Sequence, residues 1–213
     1  FEFTLNITPV QTKDWSWTVG LNSSRNWNTA NDVDSGLKQV YDFIHGASGR
    51  ILKQGYPLSG FWSYSFKGLN DETGYPEFNL DCGETDDPTD FLVYSGHREA
   101  SFTGGLTTRL RWKQFTYSAD FSALLGAKKR LPNPFSSLER LPSPYSNMDR
   151  ELLDRWTKPG DNTTIPAFYH GGTSSYIYLP NGDSGSMYDM WGNSDLRVVD
   201  ASFLRCTQMS LSW

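Results

Sequence analysis

The sequence lacks a surplus of basic side chains and lacks long hydrophobic runs. Its 213 residues include 19 Lys and Arg against 24 Asp and Glu, which gives a formal net charge of −5. No basic cluster stands out, so a nucleic-acid partner is not expected, because phosphates are neutralised by Lys and Arg. No stretch of about eighteen apolar residues occurs, and no transmembrane helix is therefore predicted.

Cysteine and histidine are equally scarce. Cys82 and Cys206 are far apart and lack metal-ligand spacing. We expect them not to be bonded to each other, because one falls in a predicted loop and the other in the middle of a predicted strand. His45, His97 and His170 are scattered, and no nucleophile elbow or phosphate-binding Gly-rich loop is present. The sequence therefore predicts no enzyme, no metal site and no cofactor.

What the chain does have is a regular alternation of apolar and polar residues, which predicts β-strands. Residues 1–8 alternate without a miss, and Pro9 is expected to end that strand because it cannot donate to a ladder. Phe1 already belongs to the alternation, so no signal peptide opens the sequence, and we expect the chain to be cut from a longer one. Residues 15–24 form the second strand of this predicted hairpin.

A second hairpin is predicted over residues 102–112 and 115–125. A two-residue turn at Lys113 and Gln114 would pair Trp112 with Phe115 and Leu110 with Tyr117, apolar against apolar. The same register pairs polar residues on the opposite face, Arg111 with Thr116 and Arg109 with Ser118. It also places Asp120 diagonal to Arg109, within reach of an ion pair. We expect Arg109, Arg111 and Asp120 to face a lumen.

A fifth strand is predicted over residues 202–213. Strict period two places Phe203, Met209, Leu211 and Trp213 on one face with Arg205 and Thr207, and Leu204, Cys206, Gln208, Ser210 and Ser212 on the other.

Strand length and aromatic placement favour a membrane environment. The strands are roughly nine to eleven residues long, the length that crosses a bilayer at the tilt of a barrel. Aromatic residues cluster on the side of the short turns, as in an interfacial girdle. The fold class predicted is all-β: about five strands of a transmembrane antiparallel β-barrel. A soluble β-sandwich with aromatic-rich strands is the alternative on patterning alone. The residues of the girdle are Trp15, Trp17, Trp112, Phe115 and Trp213.

Two long segments, residues 29–99 and 126–198, fall on the opposite side and are interpreted as extracellular loops. In the first, residues 32–45 have helical spacing and residues 60–80 read as one hairpin with a turn at 71–74. An acidic run follows at 81–90. Its carboxylates could hold calcium, but its spacing favours a solvated loop.

The second loop is expected to contain a helix that runs to Trp156 and begins at Ser146 or Asn147. It is also rich in aromatic residues, which suit stacking on a glycan or contact with a partner. They suit packing between the loops equally well. The candidate contact residues are Trp156, Tyr169, Tyr176, Tyr178 and Trp191.

Four motifs stand out along the chain: residues 55–64 with 68–76, residues 102–106 leading into the second hairpin, residues 153–161 with 165–166, and residues 202–205. Together they resemble the SusC/RagA family of TonB-linked outer-membrane proteins, in an order and spacing typical of the C-terminal part of that family's barrel. The resemblance spans essentially the whole chain. Residues 206–208, Cys-Thr-Gln, depart from it where the family usually has an apolar residue, Lys and Asn.

The resemblance implies active import across the bacterial outer membrane. Barrels of this type have about 22 strands and a plugged lumen, so the plug and most strands would lie outside this chain. The implied partners are TonB, engaged through the absent N-terminal part, a SusD-like lipoprotein on the extracellular face, the lipid bilayer, and a glycan or peptide cargo. Two other functions stay open: a soluble β-rich glycan-binding module, and a SusC-like barrel that acts as the scaffold of an outer-membrane assembly.

Overall fold

The computed structural model describes residues 1–31, 39–45, 53–135, 145, 147–168 and 175–213. No helix within these residues is long and apolar enough to cross a membrane. The prediction that the chain is mostly β is confirmed. In chain order the elements are β1 Glu2–Gln11, β2 Trp15–Arg25, α1 Val40–His45, β3 Gly60–Tyr64, β4 Phe66–Leu69, β5 Pro76–Phe78, a 3-10 turn Pro88–Asp90, β6 Leu92–His97, β7 Phe102–Trp112, β8 Phe115–Leu125, β9 Lys128–Arg130, a 3-10 turn Arg150–Asp154, β10 Tyr176–Tyr178, β11 Ser184–Ser186, α2 Met187–Gly192, a 3-10 turn Asp195–Arg197, β12 Val198–Asp200 and β13 Phe203–Ser212.

Five long strands form one antiparallel sheet in the order β1-β2-β7-β8-β13. Each is 10 or 11 residues long. The sheet does not close on itself, so β1 and β13 are its two edges. The chain leaves this sheet between β2 and β7 and again between β8 and β13, and both excursions lie at the same end because the strands alternate in direction.

The second hairpin has the predicted register. Trp112 pairs with Phe115, Leu110 with Tyr117, Arg111 with Thr116 and Arg109 with Ser118. Lys113 in the two-residue turn has φ 53°, which is the left-handed conformation that such hairpin turns require. The prediction of this pairing is confirmed.

Pro9 does not end β1, contrary to the expectation from the sequence. The strand continues to Gln11, and the register shifts between Ile7 and Val10, where two residues oppose Thr18 alone. A bulge accommodates proline because the extra residue in a bulge does not have to donate a backbone hydrogen bond to the neighbouring strand. The extra residue also places Ile7 and Val10 on the same face, although an odd and an even position would otherwise face opposite sides.

A second bulge corrects the prediction for β13. Cys206 pairs with Phe121 and Gln208 with Asp120, so Thr207 is an extra residue. The phase of the alternation therefore changes at Thr207. Phe203 and Arg205 lie on the face opposite to Met209, rather than on the same face. Leu204, Cys206, Met209, Leu211 and Trp213 share the apolar face.

Once the bulges are included, the sheet has one apolar and one polar face across all five strands. A row such as Leu5, Leu21, Leu106, Phe121 and Cys206 runs straight across it. Ten of the large apolar side chains on this face are between 37% and 44% exposed although strands flank them, which excludes a second layer of described residues over them. Within the described residues, the sheet is therefore not one layer of a β-sandwich. The ten side chains are Phe3, Leu5, Ile7, Val10, Trp15, Trp17, Leu21, Leu106, Trp112 and Phe115.

The two excursions fold together into a head, by which we mean the described residues of 29–99 and 126–198. One apolar cluster joins α1 and β3 of the first excursion to Leu179 and Met190 of the second. A second cluster surrounds Trp191 and contacts Phe66 and Tyr75 of the first excursion. The two loops are thus one packed body.

One prediction for the first excursion needs correction. Residues 60–80 are not one hairpin, because β3 pairs with β6 while β4 pairs with β5. The helical spacing of residues 32–45 fits a short helix or a partly buried cap. Within this range the structure has α1, six residues long and partly buried, and residues 32–38 lie outside the described part of the chain.

The helix expected to run from Ser146 or Asn147 to Trp156 is a short 3-10 turn at Arg150–Asp154. Its N-cap is Asp149, whose carboxylate accepts a hydrogen bond of 2.9 Å from the Glu151 backbone N–H. Asp caps a helix start as well as Asn or Ser does, so the spacing alone could not separate the candidates. Ser146 lies outside the described residues.

Arg130 holds the head together at the end of β9. Its Nη1 donates to the Ile44 carbonyl and the Asn193 side-chain oxygen, each at 3.0 Å. Its Nη2 donates to the Trp62 carbonyl at 2.8 Å and to the Ser63 hydroxyl at 2.9 Å. Burial lowers the pKa of Arg130 to about 10, which leaves the guanidinium charged at neutral pH. One side chain thereby satisfies acceptors from both excursions.

Arg197 joins segments within the second excursion. It is 4% exposed and forms an ion pair with Glu151. Its Nη2 also donates to the Pro132 carbonyl at 2.7 Å, and its Cζ lies 4.6 Å from the centroid of the Trp191 ring. The charge is tolerated in the interior because it is paired and hydrogen-bonded.

Replacing Arg130 with Met is expected to loosen the head by about 3 kcal/mol or more, because several buried acceptors lose their donor. Lys129→Met, on the exposed neighbour in β9, is the matched control. Amide hydrogen exchange over residues 39–45 and 60–64 measures the change. Wild-type protection in the Arg130→Met variant would contradict the role given to this side chain.

Candidate cargo-binding surface

The five aromatic residues predicted to contact a partner differ in burial and in position on the head. Trp191 is fully buried, and its indole N–H donates to the Thr164 carbonyl at 2.9 Å. It packs against Phe135 of its own excursion, with ring centroids 5.4 Å apart. Trp191 is therefore a core residue, and its assignment as a contact residue is wrong. The sequence favoured neither outcome, because an aromatic residue after a polar segment fits a core and a surface equally well.

Trp156 is half-buried and packs against the turn that begins the return to β5. Gly74 in that turn has φ +68°, and a Cβ there would overlap the Trp156 indole. The Trp156 backbone N–H donates to the Ile165 carbonyl at 2.9 Å, and the Ala167 N–H donates to the Gly74 carbonyl at 3.0 Å. Trp156 thus joins the two excursions, with a part of its ring left accessible.

Tyr176 and Tyr178 project from β10, which forms a hairpin with β11. Tyr178 is 80% exposed and Tyr176 is 51% exposed. Alternation places both on the same side of this hairpin. Tyr169 lies outside the described residues. The predicted contact surface therefore rests on Tyr178 and Tyr176, with Trp156 on a different part of the head.

Tyr178 lines a groove of about 890 Å³ between the two excursions. The first excursion contributes the acidic segment at 83–86, and the second contributes the turn that follows β10. The two segments are tied by a hydrogen bond of 3.2 Å from the Thr85 N–H to the Pro180 carbonyl. The groove residues are Leu80, Gly83, Glu84, Thr85, Asp86, Tyr178, Leu179, Pro180, Asn181 and Gly182.

The acidic run divides into structural and accessible carboxylates. Asp87 caps the 3-10 turn by accepting from the Thr89 N–H at 2.9 Å, and Asp90 accepts from the Thr85 hydroxyl at 2.6 Å. Glu84 and Asp86 are exposed on the groove and have no ion pair within the described part of the chain. The described residues contain no group of three or more His, Cys, Asp or Glu side chains arranged to hold a metal ion. The rim is thus negatively charged and open to solvent.

The polar face of the sheet carries the three residues predicted to face a lumen. Arg109 and Arg111 lie on it two residues apart in β7, and Asp120 lies on it in β8. Asp120 is diagonal to Arg109 as predicted, but the ion pairs of the described residues do not include one between them. Ser118 and Ser210 hydrogen-bond across this face at 2.7 Å. Many of its other side chains carry hydroxyl or amide groups, and Phe203 and Arg205 of β13 also lie on it.

Cys82 and Cys206 are free and exposed. The prediction that they are not bonded to each other is confirmed.

The described chain is thus an open sheet with one apolar and one polar face, joined to a head at one end. No family model matches the chain. The chain is 26% identical to a TonB-dependent receptor, P3, of Formosa agariphila over 185 residues, which are 78% of the chain and 18% of the receptor. This match and the solved structures of RagAB confirm the resemblance to SusC/RagA-like TonB-dependent transporters.

Solved structures of the RagAB peptide transporter have the same fold. One aligns with a TM-score of 0.67 and 21% identity over 99% of this chain and 22% of the other. The closed-closed state of the RagAB peptide importer aligns with a TM-score of 0.64 and 22% identity over 98% of this chain and 22% of the other. The chain therefore spans about a fifth of the length of the proteins that it matches.

The groove and the roles of Arg130 and Arg197 were not identified from the sequence. Tyr178 and the acidic run were each noted, but more than eighty residues separate them, and nothing in the sequence brings them together. Arg130 lies in β9 and Arg197 in a 3-10 turn, each only three residues long, so no periodic pattern predicts where either side chain packs.

Gly74→Ala is expected to destabilise the head by about 2 kcal/mol or more, because the new side chain meets both a left-handed backbone and the Trp156 ring. Gly83→Ala is the matched control: Gly83 has φ +76° but no atom within 4 Å of its Cβ position. Thermal unfolding of the two variants separates the ring contact from the backbone strain. Equal losses in the two variants would show that the Trp156 contact contributes nothing.

Proposed function

We propose that this chain is part of the barrel wall and of the extracellular head of a TonB-dependent importer in the bacterial outer membrane. The observation that carries the proposal is the uncovered apolar face, which extends across five strands of 10 or 11 residues. Such a face is costly in water and matches the lipid-facing band of a barrel. The polar face, with Arg109, Arg111 and Asp120, then lines the lumen.

The two open edges support a larger barrel. β1 and β13 each present unpaired backbone groups, which are not tolerated in a lipid environment unless further strands pair with them. A barrel of about 22 strands, as the resemblance implies, supplies those strands. The remaining wall, the plug and the segment that contacts TonB belong to parts of the protein outside this chain.

The groove around Tyr178 is proposed as a cargo contact, with a peptide as the favoured cargo. Glu84 and Asp86 attract Lys and Arg side chains, and the exposed Tyr178 ring offers contact area with little loss of side-chain entropy. RagAB, which has the same fold, is described as a peptide transporter. A glycan is the second candidate, because an exposed tyrosine ring also stacks on sugars.

The head is also proposed as the docking side of a SusD-like lipoprotein, in line with the resemblance. The soluble glycan-binding module is disfavoured, because it would expose the apolar face of the sheet to water. The scaffold function differs from import in one measurable respect: a scaffold assembles without moving cargo. An uptake assay on the full-length receptor therefore separates these two functions.

Leu21→Arg is expected to impair assembly of the full-length receptor in the outer membrane, whereas Asn22→Arg is expected to be tolerated. The two residues are neighbours in β2 on opposite faces, and Leu21 sits between Leu5 and Leu106. An arginine facing lipid near mid-membrane costs about 2–4 kcal/mol. Heat-modifiable migration of the membrane-inserted receptor measures assembly. Equal assembly of both variants would contradict the membrane placement of the sheet.

Tyr178→Ala is expected to weaken cargo binding by about 2 kcal/mol, the loss typical of an aromatic hot spot. Tyr41→Ala is the control, because Tyr41 is 66% exposed but lies outside the groove. Binding of labelled basic peptides to the purified full-length receptor measures the effect.

The double variant Glu84→Gln, Asp86→Asn tests the choice of cargo. It should weaken basic peptides and leave neutral glycans unchanged, and its effect should shrink at high salt, because the attraction to an exposed rim is screened. If Tyr178→Ala and the double variant both bind peptides and glycans as the wild type does, the groove is not the cargo site.

A further inference from the structure

The end of the apolar face next to the head carries a cation stacked on an exposed indole. Arg25 pairs with Phe102 at the last position of β2, in the same alternation as Trp17 and Leu21. Its Cζ lies 4.3 Å from the centroid of the Trp27 ring. Trp27 is 65% exposed. Arg25 therefore projects from the apolar face rather than from the polar one.

Among the described residues, the Arg25 guanidinium has no acidic partner, because none of their ion pairs involves Arg25. The Arg25 backbone N–H donates to the Phe1 carbonyl, and the Phe1 amino group donates to the Arg25 carbonyl. Phe1 and Leu125 are exposed in the same row of the sheet, at 81% and 45%. An unpaired cation beside apolar side chains and an indole is complementary to an anion that carries hydrocarbon chains.

The opposite end of the same face has a matching arrangement. Trp15 and Trp112 stack with ring centroids 5.7 Å apart, and the Lys113 Nζ lies 5.7 Å from the centroid of Trp112. From Trp15 to Arg25, a strand tilted as in a barrel rises roughly 25 Å, which is the height of a lipid-facing apolar band. Arg25 and Trp27 therefore lie at the level of one interface, where lipid head groups are found.

A polar groove of about 290 Å³ opens beside Trp27, between the exit of β2 and the entry to β7. Glu99 is the one carboxylate among the described residues that line the groove, and it would repel a phosphate. We therefore expect a phosphate to lie at Arg25 and the uncharged part of its head group to lie in the groove. The uncharged polar side chains that line it are Asn26, Asn28, Thr29, Ser59, His97 and Ser101.

We propose that Arg25, Trp27 and the adjoining groove form a binding site for the phosphate head group of an anionic membrane lipid. Arg25 binds the phosphate, Trp27 packs along the glycerol or sugar and the first methylene groups, and the acyl chains follow the apolar face toward Leu21. The site rests on the proposed membrane placement of the sheet and adds to it a fixed lipid on the side of the head.

The test uses the full-length receptor in nanodiscs of phosphatidylcholine with a minor fraction of phosphatidylglycerol, and native mass spectrometry counts the anionic lipid that stays bound. Arg25→Ala is expected to lower the affinity for phosphatidylglycerol about tenfold, as for loss of a charge-assisted hydrogen bond. Arg205→Ala is the matched control. Arg205 also stacks on a ring, with its Cζ 4.9 Å from the centroid of Phe203, but it lies on the polar face.

Added inorganic phosphate distinguishes a lipid site from a free-anion site. The proposal predicts that inorganic phosphate does not displace the lipid, because it lacks the acyl chains and the contact with Trp27. Displacement of the lipid by inorganic phosphate would overturn the proposal. So would equal retention of phosphatidylglycerol by the wild type and Arg25→Ala, or a loss of affinity in Arg205→Ala as large as in Arg25→Ala.

A spin label at Leu106 separates failure of this site from failure of the membrane placement. If the wild type retains no phosphatidylglycerol and the label senses no lipid, the membrane placement itself fails. If the label senses lipid but no phosphatidylglycerol is retained, only the Arg25 site is overturned.

Discussion

The apolar face of the five-stranded sheet has no cover within the described chain, and this constraint organises the rest of the molecule. In a soluble protein such a face packs on a second layer. Here its side chains stay about two-fifths exposed. In the proposed barrel, lipid covers this face without a layer of protein. The same proposal accounts for the polar face, because the side chains that alternate with the lipid-facing ones would line the lumen.

Two bulges preserve this division between faces where the sequence alone would break it. In β1 the extra residue next to Pro9 keeps Val10 with Ile7, and in β13 the extra residue Thr207 brings Leu204 and Met209 to the same face. The head is organised by different physics. It has a packed apolar interior. Arg130 connects its two excursions through backbone carbonyls, and the buried Arg197 joins segments of the second excursion through the Pro132 carbonyl and the Glu151 carboxylate. The five-stranded sheet and the head are therefore stabilised in different ways.

Much of the five-stranded sheet could be predicted from the sequence, because the alternation of apolar and polar residues is a local signal. The pairing of Trp112 with Phe115 needed only a turn of two residues and a matching of like with like. The phase of β13 could not be predicted, since a bulge is visible only when the partner strand is known. In the head, Trp191 and Tyr178 are both aromatic residues in a long loop, yet one is fully buried and the other 80% exposed. That difference depends on contacts between distant segments, which no local pattern records.

The central claim is that one face of this sheet meets lipid. Spin labels placed one at a time along residues 103–111 of β7 in the membrane-inserted full-length receptor test it most directly, by their accessibility to oxygen, which partitions into lipid, and to a water-soluble nickel complex. The account predicts a period of two, with oxygen accessibility highest at Gly104, Leu106, Thr108 and Leu110. Accessibility to the nickel complex without alternation along the strand, or oxygen accessibility highest at Thr107 and Arg109, would contradict it.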